Sequence, residues 1–334
     1  MTKPLISIVV PMFNEHDVAH ECHRRLTQML ADHQETFTGE LLYVNDGSTD
    51  DTLDILKELA ATDERVRVIG FARNFGHQIA VTAGIHKARG EAVAVIDADL
   101  QDPPELIPQM VDKWREGWHV VYGQREQRAG ETWFKITTAK WFYRILNRLT
   151  QVAIPMDTGD FRLMDRQVVE VFKNMPEHNR FLRGMVSWIG FRQTALLYRR
   201  EERFAGESKY PLSKMLQLAF DGILSFSHKP VYWIRQTGLV VTGTAKLLLV
   251  VWVIAWLTGG ADRLFYTGGQ SLLGVLLGVN LLALGILGEY LVRIYDEVRR
   301  RPLYTIQEEW PEASRRPGPK EWEARAFGEG ENLS

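Results

Sequence analysis

Val93-Ala94-Val95-Ile96-Asp97-Ala98-Asp99-Leu100-Gln101-Asp102-Pro103-Pro104-Glu105 is the stretch on which the reading of this chain turns. A short run of small and β-branched apolar residues predicts a strand. It opens directly into an acidic loop, and Pro103 and Pro104 stiffen that loop where it enters the next helix. The same grammar recurs through the first third of the chain. Leu5–Val10, Leu41–Val44, Val66–Phe71, Ala92–Ile96 and Val120–Tyr122 read as strands; Val18–Ala31, Thr52–Ala60, Gln78–Lys87 and Pro104–Arg115 read as helices. Strands alternating with helices predict an α/β domain with a mostly parallel sheet. Such sheets bind ligands beyond the carboxyl ends of their strands. The polar signatures sit there: Asn14-Glu15 after the first strand, Asn45-Asp46-Gly47-Ser48 after the second, Arg73-Asn74 after the third and Asp97-Ala98-Asp99 after the fourth.

The rest of the composition narrows the field. With 334 residues and a net charge of -2, the chain holds one such domain plus something further and gives no electrostatic reason to bind nucleic acid. A single cysteine, Cys22, excludes an internal disulfide and a thiolate metal site, which fits a reducing compartment. The apolar run before Pro11 is too short for a signal peptide. Thr132–Leu149 reads as a helix, and Gly159–Met164 as a short strand or turn. Ser213–Phe226 is amphipathic and reads either as an interfacial helix or as one packed on the sheet.

Gly238–Leu257 and Leu272–Tyr290 have the length and apolarity of membrane spans, joined by a Gly-rich loop over Thr258–Ser271. Lys229 and Arg235 precede the pair and Arg293, Arg299, Arg300 and Arg301 follow it, while the loop carries only Arg263. That bias predicts a hairpin in the cell (inner) membrane with both termini cytoplasmic. Pro311, Pro317 and Pro319, mixed with charge and glycine, predict a flexible tail beyond Arg301. The expected organisation is a catalytic domain over 1–212, a juxtamembrane helix over 213–230, a two-span hairpin over 231–293 and a tail over 294–334.

Asp97 and Asp99, at alternate positions where a strand opens, suit a divalent cation bridging a diphosphate, because Mg2+ and Mn2+ take hard oxygen ligands and keep phosphate oxygens in their shell. Gln101 offers a further oxygen. Asp46 is placed to accept hydrogen bonds from a base or ribose, whereas one of Ser48, Thr49 or Asp50 reads as the cap of the helix beginning near Thr52. Arg73 suits a diphosphate contact or a solvated surface position equally.

Taken in order, Val10-Pro11-Met12-Phe13-Asn14-Glu15, Asn45-Asp46-Gly47-Ser48-Thr49-Asp50, Arg73-Asn74-Phe75-Gly76 and the acidic stretch quoted first resemble the inverting family-2 glycosyltransferases of GT-A (nucleotide-diphospho-sugar transferase) fold. Asp157-Thr158-Gly159-Asp160-Phe161-Arg162-Leu163, Arg200 to Arg203, Ala205-Gly206-Glu207-Ser208-Lys209-Tyr210 and the paired spans resemble one subgroup, the bacterial polyprenyl-phosphate glycosyltransferases, relatives of dolichol-phosphate mannose synthase. Asn45 departs from the pattern, since many relatives place an aspartate there. The resemblance implies that Pro11, Asn14, Glu15 and Asp46 cradle the nucleotide with Arg73 and Asp97, that Asp97, Asp99 and Gln101 hold Mg2+ or Mn2+, and that Asp157 and Asp160 lie at the reacting centre. It implies that Arg162, Arg203 and Lys209, with Arg200 a weaker member, bind the lipid phosphate. The implied reaction moves a sugar, glucose from UDP-glucose, onto polyprenyl (undecaprenyl) phosphate with inversion, for cell-surface glycan modification. A homo-oligomer formed through the membrane segment, a downstream flippase and a second glycosyltransferase are the implied partners.

Rival readings lack their marks. A processive polysaccharide synthase carries Gln-x-x-Arg-Trp, which Arg183 to Trp188 does not match, and needs more spans; a transferase to another lipid stays open. A dinucleotide oxidoreductase needs glycines after its first strand, where Pro11-Met12-Phe13-Asn14-Glu15 stands.

Overall fold

The computed structural model describes residues 3–126, 155, 158–199, 229–258 and 263–311. Strand β1 (Leu5–Met12) leads through α1 (His16–Asp32) to β2 (Thr38–Asn45), then α2 (Thr52–Thr62), β3 (Val66–Phe71), α3 (His77–Lys87) and β4 (Ala92–Val95). A 3-10 turn at Pro104–Leu106 precedes α4 (Ile107–Arg115), followed by β5 (Val120–Arg125), β6 (Thr158–Asp165), α5 (Arg166–Lys173), α6 (Leu182–Ile189) and β7 (Gln193–Tyr198). Two long helices, α7 (Lys229–Leu257) and α8 (Arg263–Arg299), come before a last strand, β8 (Ile306–Trp310).

All eight strands join one sheet in the order β7-β5-β6-β4-β1-β2-β3-β8. Its centre, β4-β1-β2-β3, is parallel, and the antiparallel pairs are β4 with β6, β6 with β5, and β3 with β8. Side chains alternate across the pleat. Ile6, Ile8, Val10 and Met12 therefore enter the core under α1, α2 and α4, with Leu26, Leu56, Ile107 and Met110. Val9 enters the opposite core with Leu42, Val44, Val93, Val95, Val81, Val168 and Met185. Each such aliphatic side chain contributes about 1.5–3 kcal/mol on burial. Helix α3 lies close against β1 because Gly84 has no side chain: a Cβ there would meet Val9 Cγ1 at 2.1 Å.

The elements predicted before residue 125 all form, most with longer ends; β3 keeps the predicted bounds, β4 stops one residue earlier at Val95, and the Pro104–Arg115 helix begins as a 3-10 turn. Beyond that point the structure corrects two expectations. The tail is not wholly flexible, since Ile306–Trp310 pairs with β3. Its charged residues hid this: Glu308 and Glu309 face Lys57 and Lys87 at 2.8 and 2.6 Å, so polar side chains on an edge strand are paired rather than solvated. The Gly-rich segment over 258–271 is mostly helix, because α8 starts at Arg263; glycine is tolerated in membrane-type helices, where the backbone has no water to bond.

Within α7 and α8, Val231–Ile254 and Val275–Arg299 have mean hydropathies of 1.9 and 2.0. Segments of 24 and 25 residues are about 36 Å long at the helical rise, enough for a ~30 Å hydrocarbon layer. Leu239, Val240, Leu247, Leu281 and Leu282 point outward, uncovered by protein. The expected helices over 132–149 and 213–226 lie outside the described residues.

Candidate active site

The loops at the carboxyl ends of β1, β2 and β3 are tied together by short side chains. Asn14 takes a positive φ of 53°, and its Oδ1 accepts from Thr49 N at 2.9 Å while its own N–H donates to Ser48 Oγ at 3.0 Å. Glu15 N donates to Thr52 Oγ1 at 2.9 Å, and Asp50 Oδ1 accepts from Thr52 N, the first N–H of α2, at 3.1 Å. Asp51, directly before the helix, makes no side-chain cap bond, and Ser48 and Thr49 serve Asn14. Asp46 ends up 2 % exposed. Its Oδ1 accepts from Phe75 N at 2.7 Å; its Oδ2 accepts from Gly76 N at 2.9 Å and Asn74 Nδ2 at 3.0 Å. Burial raises its pKa, and the bonds from Phe75 and Gly76 hold it partway back. Asp46 is thus a latch between the second and third loops. Gly47, at φ +64°, allows the close approach, since a Cβ there would meet the Arg73 carbonyl carbon at 2.3 Å. Arg73 itself is exposed, with its guanidinium 3.9 Å from the centre of the Phe75 ring. Pro11 is buried in β1.

A second, charged cluster lies between β4, β6 and α6. Asp160, 6 % exposed on β6, accepts from Gln78 Nε2 at 2.8 Å, from His77 Nε2 at 3.2 Å and from Arg183 Nε at 3.0 Å, with Arg162 Nη2 at 3.9 Å. Burial alone would raise the Asp160 pKa, but Arg183, His77 and Arg162 hold it well below the usual carboxylate range. His77 Nε2 also lies 3.6 Å from Asp97 Oδ1. Burial opposes its charge, yet Asp97 and Asp160 push its pKa up to about 9. Asp97 is itself raised to about 6, chiefly by burial, against the pull of His77 and with Asp102, Asp160 and Asp99 repelling. Asp99 Oδ1 accepts from Gln101 N at 3.2 Å, and Leu100 between them has φ 58°, a strained value for a leucine. Asp102 is fully buried and accepts from the Tyr198 hydroxyl, with Arg125 Nη2 at 3.9 Å.

Three of the residues read as acceptor or nucleotide ligands are therefore engaged by the protein itself. Arg162, 5 % exposed, donates to Gly159 O at 3.0 Å and sits beneath Asp160 rather than on the surface. Asn14 and Asp46 brace loops. Asp157, Arg200, Arg203 and Lys209 lie outside the described residues. Sequence reading missed His77, Gln78, Arg125 and Arg183. His77 and Gln78 follow the Arg73–Gly76 motif directly, a signal that was present; Arg125 and Arg183 are brought in only by the sheet order.

Among the described residues no three His, Cys, Asp or Glu side chains converge as a metal site. The fit to a divalent cation rests on Asp97, whose buried Oδ1 has no hydrogen-bond partner and whose charge is opposed by three neighbouring carboxylates. Asp97 and Asp99 supply hard oxygens and leave the remaining positions to a diphosphate, so the residues fit Mg2+ or Mn2+.

Three comparisons bear on this arrangement. The model of the family described as "Glycosyl transferase family 2" matches residues 7–172, from β1 to the end of α5. An uncharacterized glycosyltransferase, YkcC of Bacillus subtilis, is 52 % identical over 307 residues, covering 91 % of this chain and 94 % of that one. The bactoprenol glucosyl transferase of Shigella phage SfII is 40 % identical over 305 residues, covering 90 % and 97 %. Among solved structures, glucosyl-3-phosphoglycerate synthase from Mycobacterium tuberculosis, with Mn2+, UDP and glucosyl-3-phosphoglycerate, superposes with a TM-score of 0.43 at 20 % identity, covering 66 % of this chain and 78 % of that chain.

Proposed function

We propose, for a chain that belongs to glycosyl transferase family 2 and is a glycosyltransferase, the transfer of glucose from UDP-glucose to a polyprenyl (undecaprenyl) phosphate at the membrane surface. The carrying observation is that one sheet serves both ends of the task. The nucleotide-type loops lie at the carboxyl ends of β1–β4, and the strand after the apolar helices, β8, closes the edge of that sheet at β3. Relatives named bactoprenol glucosyl transferase, about 40 % identical over nearly the whole chain, support the sugar and the acceptor class.

In this reading the loops latched by Asn14 and Asp46 receive the nucleotide, with Pro11 and Glu15 beside it and Arg73 reaching the diphosphate. Asp97 and Asp99, with Gln101 bracing Asp99, would hold Mg2+ or Mn2+, which supplies positive charge to the leaving diphosphate. His77, cationic at neutral pH, adds charge beside Asp97. Asp160 keeps Arg183 and His77 fixed, so the positive groups are ordered before substrate arrives. An acceptor phosphate is already ionised near neutral pH, so the site needs no strong base. Its oxygen attacks the anomeric carbon in line and inverts the configuration, giving a β-linked lipid phosphate sugar from an α-linked donor. Asp157, Arg200, Arg203 and Lys209 remain the proposed acceptor-side groups. Arg162 is assigned here to support of Asp160.

The same sheet supports the proposed hairpin topology. The chain enters α7 from the domain and returns from α8 to it, so an even number of crossings keeps both ends on one face. The arginines around Arg299 favour the cytoplasmic face. Cys22 is buried, with its thiol pushed up to about 12 by burial, and leaves labelling to introduced cysteines. Thr258→Cys in intact cells should react with an impermeant thiol reagent, and Gln34→Cys should not; the reverse pattern overturns the orientation. The substrate is tested by incubating the purified full chain with polyprenyl phosphate and a panel of radiolabelled nucleotide sugars. Label entering the lipid fraction from UDP-glucose alone is the expected result, and label from another donor corrects the sugar.

A further inference from the structure

The segment that follows the second apolar helix touches both halves of the site. At the end of α8, Glu297 Oε1 accepts from His178 N at 2.8 Å, and Arg301 O lies 2.7 Å from His178 Nε2. His178 belongs to the loop that leads into α6, where Leu182 N donates to Gln78 Oε1 at 3.1 Å beside Arg183 and Asp160. Three residues after Arg301, the Tyr304 ring stacks on Phe71, with centroids 5.1 Å apart and planes at 15°. Phe71 in turn meets Phe75 edge-on at 5.6 Å, and Ala72 N donates to Thr305 O at 3.0 Å. Phe75 is the residue whose N–H binds Asp46 and whose ring lies under Arg73.

We propose that Tyr304 is a positioning residue for the sugar donor: its ring, stacked on Phe71 at the exit of the membrane hairpin, sets the Ala72–Gly76 loop that carries Arg73 and meets Asp46. The inference rests on the reading of these loops as the nucleotide site. The physics is that of preorganisation. The Ala72–Gly76 segment is short and largely exposed, and it is fixed on one side by Asp46 and on the other by the Phe71–Tyr304 stack. Removing the stack loosens that side to the Ala72–Thr305 backbone bond alone and leaves the Asp46 latch. Ordering the loop then falls to the incoming nucleotide, which weakens donor binding and leaves the acceptor side untouched.

The test uses the full chain in lipid nanodiscs, with apparent KM measured separately for UDP-glucose and for polyprenyl phosphate, and donor affinity measured by calorimetry. Tyr304→Ala should raise the donor KM about tenfold, with the lipid KM and the rate at saturating donor within about twofold of wild type. Tyr304→Phe, which keeps the stack, should restore the wild-type constants. Should Tyr304→Ala fail to fold, Tyr304→Leu fills the space without an aromatic face and should show the same donor-only defect. A donor KM unchanged in a folded Tyr304→Ala or Tyr304→Leu protein, or a defect confined to the lipid KM, overturns the proposal. Asp97→Ala separates the two readings. If it abolishes calorimetric donor binding while the Tyr304 variants bind normally, only the positioning role falls; if Asp97→Ala binds donor as wild type does, the nucleotide-site reading falls as well.

Discussion

Two buried carboxylates of the site, Asp46 and Asp160, are held by opposite means. Asp46 is satisfied by backbone N–H groups of Phe75 and Gly76 and by one amide, all neutral donors from a single turn. Its pKa is raised. Asp160 is satisfied by groups drawn from α3, β6 and α6, three of them cationic, and its pKa falls well below the usual range. A carboxylate bound by backbone organises a loop, and nearby charges, here His77 and Arg73, act on it less than burial and those backbone bonds do. A carboxylate bound by arginines and a histidine stores an electrostatic balance that an incoming anion disturbs. The loops that follow β2 and β3, proposed above to receive the donor, are thus built for shape, and the side facing β6 and α6 for charge.

The strongest way to break that division is to strike between the two. Asp97 and Asp99 stand where both meet, and Asp99→Ala should lower transfer by about a thousandfold or more while far-UV circular dichroism stays native. Excess chelator should silence the wild-type enzyme to the same degree; full activity in chelator would show that the acidic pair does not serve a cation.

The next effect separates the carboxylates directly. Asp160→Asn leaves His77, Arg162 and Arg183 without their shared counter-charge, and should cost about 3–5 kcal/mol in denaturant unfolding. Asp46→Asn keeps an oxygen and loses part of the latch, and should cost about 1–3 kcal/mol. Equal losses, or the opposite order, would mean that charge is not what distinguishes the two sides.

The smallest effect is a pH dependence. His77 has a pKa of about 9 in the fold against its ordinary 6.5, so its contribution to stability is complete below pH 6.5 and is lost as pH rises through 9. Tm should therefore decline across that window, and His77→Gln should flatten the decline. A variant whose Tm still falls as steeply as wild type over the same window would remove His77 from the balance.

The contrast also explains what the sequence showed. The loops beyond β2 and β4 follow strands rich in valine and leucine, and their polar residues come in contiguous runs, so Asp46, Asp97 and Asp99 stand out by position alone. The Asp160 cluster is assembled from His77, Arg162 and Arg183, separated by up to 106 residues (183 − 77) and joined only because β6 lies beside β4. No local spacing announces Arg183. β8 was hidden for another reason: Ile306-Gln307-Glu308-Glu309-Trp310 carries too little apolar alternation to read as a strand, and its partners Lys57 and Lys87 lie more than two hundred residues earlier. Asn14 was visible as a site residue, but its work in tying two loops came from a backbone at φ 53° that sequence does not display.

The place of β8 in the sheet has a consequence for how the protein is made. The ribosome releases β3 early and β8 only after residues 72–305 have been synthesised. Until then the Val68–Phe71 edge of a nearly finished domain stands open, the kind of strand that pairs with whatever chain arrives. In the proposed hairpin topology, β8 can reach that edge only once the second apolar helix has returned the chain to the side of the bilayer on which β3 lies. Under the proposed topology, completion of the sheet would wait on insertion of both helices, and a chain that inserted only one would hold its last strand across the bilayer from β3.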